Sequence, residues 1–141
     1  MSSNTSPYLQ LERTTGGVIP VNGAVLFNEQ LGKGGTQINY TVATGDIVFA
    51  APGYYYINWF VAPQFGLTTN GSNFAILSSD GEVLTGSSHI RNSPTVGFAV
   101  IEVATPGKTV SLLNTSDNSI TLSEAVKAKA AIAVYAIADP T

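Results

Sequence analysis

The stretch AAPGYYYINWFVA, Ala50–Ala62, holds three consecutive tyrosines, the chain's single tryptophan and a phenylalanine. Val, Ile, Tyr, Phe and Trp in a short run, launched by a Pro52-Gly53 turn, read as a β-strand. Successive side chains on a strand point to opposite faces. One face then carries Tyr55, Ile57, Trp59 and Val61, and the other Tyr54, Tyr56, Asn58 and Phe60. The first set is a core face. The second is nearly as apolar, and an ordinary half-wet strand leaves it unexplained.

Two further segments share this property. Val96–Ala104 sets Val96, Phe98, Val100 and Ala104 against Gly97, Ala99, Ile101 and Val103, with only Glu102 charged, and the last run sets Ile132, Val134 and Ala136 against Ala133, Tyr135 and Ile137. An antiparallel sheet with two apolar faces has to be covered on both. One face meets a second sheet; the chain offers no amphipathic helix for the other, so a second copy of the chain is the simplest cover. Elsewhere, in NFAILSS and KTVSLLN, one face is more polar, as for a sheet with one wet side.

Glycine and proline punctuate short Val-, Ile- and Thr-rich runs throughout, which predicts an all-β chain. Val18–Phe27 reads as one strand, and Gly32–Gly35 (GKGG) as a flexible connection that lacks the spacing of a phosphate-binding loop. Asp80-Gly81 is the strongest hairpin signal, because tight hairpin turns need positive φ. Ser123–Ala138 contains good helix formers, but Ile132, Val134, Tyr135 and Ile137 form no helical stripe and favour a strand. The 141 residues suit one domain, with residues 1–7 expected to be a flexible tail or an expression start.

Charged residues make up only 11%, against about 25% in typical soluble domains. So little surface charge fits burial of part of that surface against another subunit. The net charge of −3, with scattered Lys and Arg, argues against nucleic acid as a partner. The longest apolar run, Ala130–Ala138, is far below the roughly 20 residues of a spanning helix, which argues against membrane insertion. No basic-then-apolar segment opens the chain, so no signal peptide is expected. Without cysteine there is no disulfide framework or thiolate metal site.

VLFNEQ (Val25–Gln30) followed by NYTVATGDIVFAAPGYYYI (Asn39–Ile57) resembles the globular head of complement component 1, subcomponent q, within the tumour-necrosis-factor-like superfamily. The resemblance rests on Phe27-Asn28, Tyr40, Thr44-Gly45, Ile47, Pro52-Gly53, Tyr55 and Ile57. In texture, rich in Ala, Val, Ser and Thr and poor in charge, the chain is most similar to the carboxy-terminal domains of bacterial collagen-like glycoproteins of the spore surface, the exosporium. The resemblance implies an all-β, two-sheet antiparallel jelly-roll sandwich of about ten strands that assembles as a homotrimer. It also implies a non-enzymatic head capping a collagen-like stalk, at an extracellular or spore-surface location. No Gly-x-y repeat is present in the chain, and no residue matches the calcium ligands of the animal heads. No cofactor or metal is expected. The strand of the opening stretch belongs to the inner sheet in such heads, so Tyr54, Tyr56, Phe60 and Tyr135 are the candidate trimer interface, and Tyr55, Ile57, Trp59 and Val61 the core.

Other chemistry is thinly represented. His89 is the only histidine, and Ser87 and Ser88 beside it point to opposite faces of a strand, which leaves little for nucleophilic catalysis. Asp80 and Glu82 sit at the expected hairpin tip, where charges are normally solvated. Loop oxygens around Asp117-Asn118 are a weak calcium signal. Sequons at Asn4, Asn39, Asn70 and Asn114 arise easily in so Asn- and Ser-rich a chain. Exposed aromatics can also stack on sugars, so Phe65, with Asn70 and Asn73, is the candidate ligand loop. A second function class follows: a carbohydrate-binding adhesin or phage receptor-binding tip, with a host or surface glycan or a protein as ligand. A small hydrolase around His89 is a third.

Overall fold

A computed structural model describes residues 6–64, 71–88 and 94–138. Among them every regular element is a strand: β1 (Tyr8–Arg13), β2 (Val18–Ile19), β3 (Glu29–Gly34), β4 (Ile38–Thr41), β5 (Asp46–Phe49), β6 (Gly53–Val61), β7 (Ser72–Ser78), β8 (Val83–Ser88), β9 (Thr95–Val103), β10 (Lys108–Asn114), β11 (Ile120–Thr121) and β12 (Ala130–Ala138). Ten strands build two five-stranded antiparallel sheets, in the orders β3-β1-β12-β6-β9 and β4-β5-β10-β7-β8, and β2 pairs with β11. The first and last long strands pair side by side, with Tyr8 opposite Tyr135.

The two sheets enclose one core that includes Leu9, Leu11, Phe49, Tyr55, Ile57, Trp59, Phe74, Ile76, Ile101, Leu112, Ile132 and Val134. Burial alternates along β6 and β9 as the pleat requires. Polar pins join the layers. The buried hydroxyls of Ser72 on β7 and Thr95 on β9 hydrogen-bond one another. Lys108 on β10 holds Asp80 and Glu82 of the β7–β8 turn and the backbone carbonyl of Glu102 on β9.

The expected strand Val18–Phe27 is broken. Pro20 has no N–H for a ladder, Asn22 turns with φ 64°, and Gly23 N–H closes the turn on Pro20 O at 2.8 Å. Only Ala24, bridged to Leu113, resumes pairing. The glycine-rich connection is instead mostly strand. Gly32 and Gly34 lie in β3 because the Tyr8 ring covers them: a Cβ at Gly34 would stand 2.6 Å from that ring. Lys127 and Lys129 precede β12 in an irregular segment, and Ala130–Ala138 is strand, not helix. Pro7, expected within a free tail, is tied down by Ala136 N–H donating to its carbonyl.

Candidate interaction face

The residues behind the resemblance are architectural. Phe27 N–H donates to the Tyr40 hydroxyl at 2.7 Å, and their rings meet edge to face. Burial pushes the Tyr40 hydroxyl pKa up, and the Phe27 bond partly offsets it. Asn28 brackets Thr14 by accepting from its N–H at 2.8 Å and donating to its hydroxyl. Gly45 turns with φ 79° against Leu26. The Tyr55 hydroxyl donates to Ala51 O at 2.8 Å, and so ties the buried ring back to the turn before its strand.

The outward face of the first sheet is the unusual surface. The strand register lays its side chains in rows: Tyr8, Tyr135, Tyr56, Val100; then Gln10, Ala133, Asn58, Phe98; then Glu12, Ala131, Phe60, Val96. Tyr56 lies 5.3 Å from Tyr135 and 6.5 Å from Phe98, centroid to centroid, forming an aromatic line across three strands. Phe98 is 72% exposed and Val96 62%; Val100, Ile137, Tyr135 and Tyr8 are also exposed. At about 150–250 Å² for each of the three aromatics, and less for the two valines and the isoleucine, these six leave roughly 500 Å² of apolar surface in water. That is near the upper end for the largest apolar patch of a monomer, about 300–600 Å². An open trough of about 590 Å³ runs over this face, lined by Ala131 and Ala133 of β12, Tyr56, Asn58 and Phe60 of β6 and Phe98 of β9 among others.

Of the candidate interface, Tyr54, Tyr56 and Phe60 are half-buried by their own sheet and Tyr135 is exposed. Sequence reasoning underweighted Phe98, whose place in an alternating strand was already legible. Tyr55, Ile57, Trp59 and Val61 are buried. Trp59 lies flat against β9 and β8: a Cβ at Gly97 would fall 2.3 Å, and one at Gly86 2.9 Å, from the indole. Its buried Nε1 has no hydrogen-bond partner.

Of the candidate ligand loop, Phe65 and Asn70 lie outside the described residues, as does His89. Asn73 sits within strand β7, not in a loop. Its N–H donates to the Ser116 hydroxyl at 2.8 Å, and its side-chain oxygen accepts from Ser87. Asn114 is buried, with its amide bonded to Ile19 O, Asn118 O and Ser116 N–H, so it is closed to glycan attachment. Asp80 and Glu82 are not merely solvated: they flank buried Lys108 at 2.9 and 2.6 Å. The hydrogen bond from Lys108 holds the Glu82 carboxyl below its usual range. Burial alone would lower Lys108, but its bonds to Glu82 and Asp80 outweigh that and raise it. No group of three or more potential metal ligands gathers among the described residues.

No family model matches the chain, and no curated protein matches it by sequence. Solved structures do. The globular domain of zebrafish complement 1qA aligns over 96% of this chain and all of its own, with TM-score 0.73 and 14% identity. Murine APRIL aligns over 94% of this chain and all of its own, with TM-score 0.71 and 11% identity. Eiger TNF from S. frugiperda aligns over 97% and 96%, with TM-score 0.67 and 14% identity. The fold is the complement-1q/TNF-like jelly roll. In this jelly roll the aromatic face lies on the sheet that carries both the first and the last long strands.

Proposed function

We propose that the chain is a non-enzymatic structural and interaction head. It assembles as a homotrimer and caps a collagen-like stalk on a bacterial spore or cell surface. The observation that carries the assembly is the outward face of β12, β6 and β9. It exposes Phe98, Val96, Val100 and Tyr135 in a chain with only 11% charged residues, and no described segment covers it. Burial of apolar area is the main favourable term in association, and tyrosines suit interfaces because the ring is apolar while the hydroxyl keeps a polar contact. Three copies joined through this face would form a durable knob without disulfides. The stalk and the spore-surface setting rest on the compositional likeness to exosporium domains.

Sedimentation at micromolar concentration tests the assembly: a trimer is expected, and a well-folded monomer would sink the reading. The coding sequence upstream of Met1 tests the stalk, where Gly-x-y repeats are expected.

A further inference from the structure

Lys108 and Lys129 are equally buried, each 8% exposed. Lys108 has two carboxylates beside its ammonium. Lys129 has none among the described residues, and its Nζ donates to a single acceptor, the Val126 backbone carbonyl, at 2.5 Å. An ammonium carries three donors, and a buried charge is costly unless it is paired. The loop beside it has the same need. Lys129 Cε stands 3.9 Å from where a Cβ on Gly16 would lie. In Thr15, Gly16 and Gly17 every carbonyl is occupied: the first two by the Arg13 guanidinium at 3.0 and 2.9 Å, the third by Leu122 N–H at 2.9 Å. The same three residues are exposed, and their N–H groups meet no acceptor among the described residues.

We infer that Lys129 and the Thr15–Gly17 loop bind a carboxylate, borne by a small acid or an acidic sugar. A carboxylate supplies both things this corner lacks, a negative charge for the ammonium and lone pairs for the amides. Such charge-assisted hydrogen bonds are roughly twice as strong as neutral ones. A single charge fits better than a polyanion. The Arg13 guanidinium is already engaged by the carbonyls of Thr15, Gly16 and Leu26, which leaves one ammonium to neutralise. Exposed Glu124 in the same segment as Lys129, and the net charge of −3, repel nucleic acid and anionic lipid surfaces. Gly16 keeps the approach open, because a Cβ there would meet only Lys129 Cε within 4 Å. The site lies at the end of β1 where Arg13 pairs with Ala130. It does not use the aromatic face, so it is independent of the assembly proposed above.

The test is titration of the isotope-labelled protein with sodium acetate, sodium glucuronate and sodium chloride, read by NMR at the Thr15, Gly16 and Gly17 amides. Acetate and glucuronate should shift these amides saturably, and chloride should not. Tighter binding of glucuronate would assign the acidic sugar, and equal binding the small acid. Lys129→Met should weaken binding about tenfold or more, the loss of one charge-assisted hydrogen bond. Lys127→Met, at the exposed neighbour, should leave binding unchanged. In chloride, Lys129→Met should melt no lower than the wild type, because it removes an unpaired buried charge. Gly16→Asp is the second variant. It places a carboxylate beside Lys129, so it should raise the melting temperature and abolish the response to acetate. Equal shifts with chloride, or shifts that survive Lys129→Met, would overturn the site. If Lys129→Met fails to fold, a full acetate response in Gly16→Asp would overturn it instead, and a lost response would uphold it.

Discussion

Gly97 and Lys108 show how much single residues decide. A methyl group at Gly97 would overlap the Trp59 indole. Gly97→Ala should therefore cost about 1–3 kcal/mol by overpacking, with a changed Trp59 emission that denaturant melts followed by fluorescence would record. Lys108 keeps Glu82 ionised below its usual range. A carboxylate with a depressed folded pKa stabilises the fold above its unfolded pKa, and that contribution disappears as pH falls through the folded value. The thermal midpoint should drop on acidification, and Lys108→Met should remove that part of the pH dependence. Lys108, with its pKa raised, acts in the opposite direction: its contribution is lost only as pH rises beyond its folded value. Neither contact was legible in the sequence, because Trp59 and Gly97, and Lys108 and the Asp80–Glu82 turn, are far apart along the chain and meet only in the fold.

At the scale of elements, alternation was the legible signal. The faces of β6, β9 and β12 follow from period two alone, since buried strands leave no choice of register. Adjacent tyrosines should consequently behave as opposites. Tyr55→Asp puts a charge at a 1% exposed position and should exceed the whole stability of about 5–15 kcal/mol, leaving an unfolded spectrum. Tyr56→Asp, on the other face, should fold and elute as a monomer. What the sequence hid was strand geometry controlled by backbone chemistry. Pro20 and Asn22 broke a run of apolar residues that read as continuous. Glycines that read as flexible made room for the Tyr8 ring in β3. The second depends on a contact distant in sequence, which local pattern does not carry; the first was a local signal, Pro20 with the Asn22-Gly23 turn, hidden by the apolar residues on either side.

For the whole molecule, stability and assembly should be one quantity. A fold that binds only its own folded copies gains stability with concentration, so the melting temperature should rise across a dilution series from nanomolar to micromolar. Because the proposed joint is apolar with acidic margins, salt between 50 mM and 1 M should weaken it little; marked dissociation at high salt would point to a charged interface instead. The pairing of β1 with β12 has a further consequence. With Tyr8 opposite Tyr135 and Ala138 opposite Tyr54, both ends of the described chain leave from one pole, the pole of Gly53, Glu102 and the Lys108 cluster. Any tether, at either end, then anchors that pole and turns the other outward. Asp80-Gly81, the sharpest turn in the sequence, faces back along the tether, and the segment after Asn114 is presented to the surroundings.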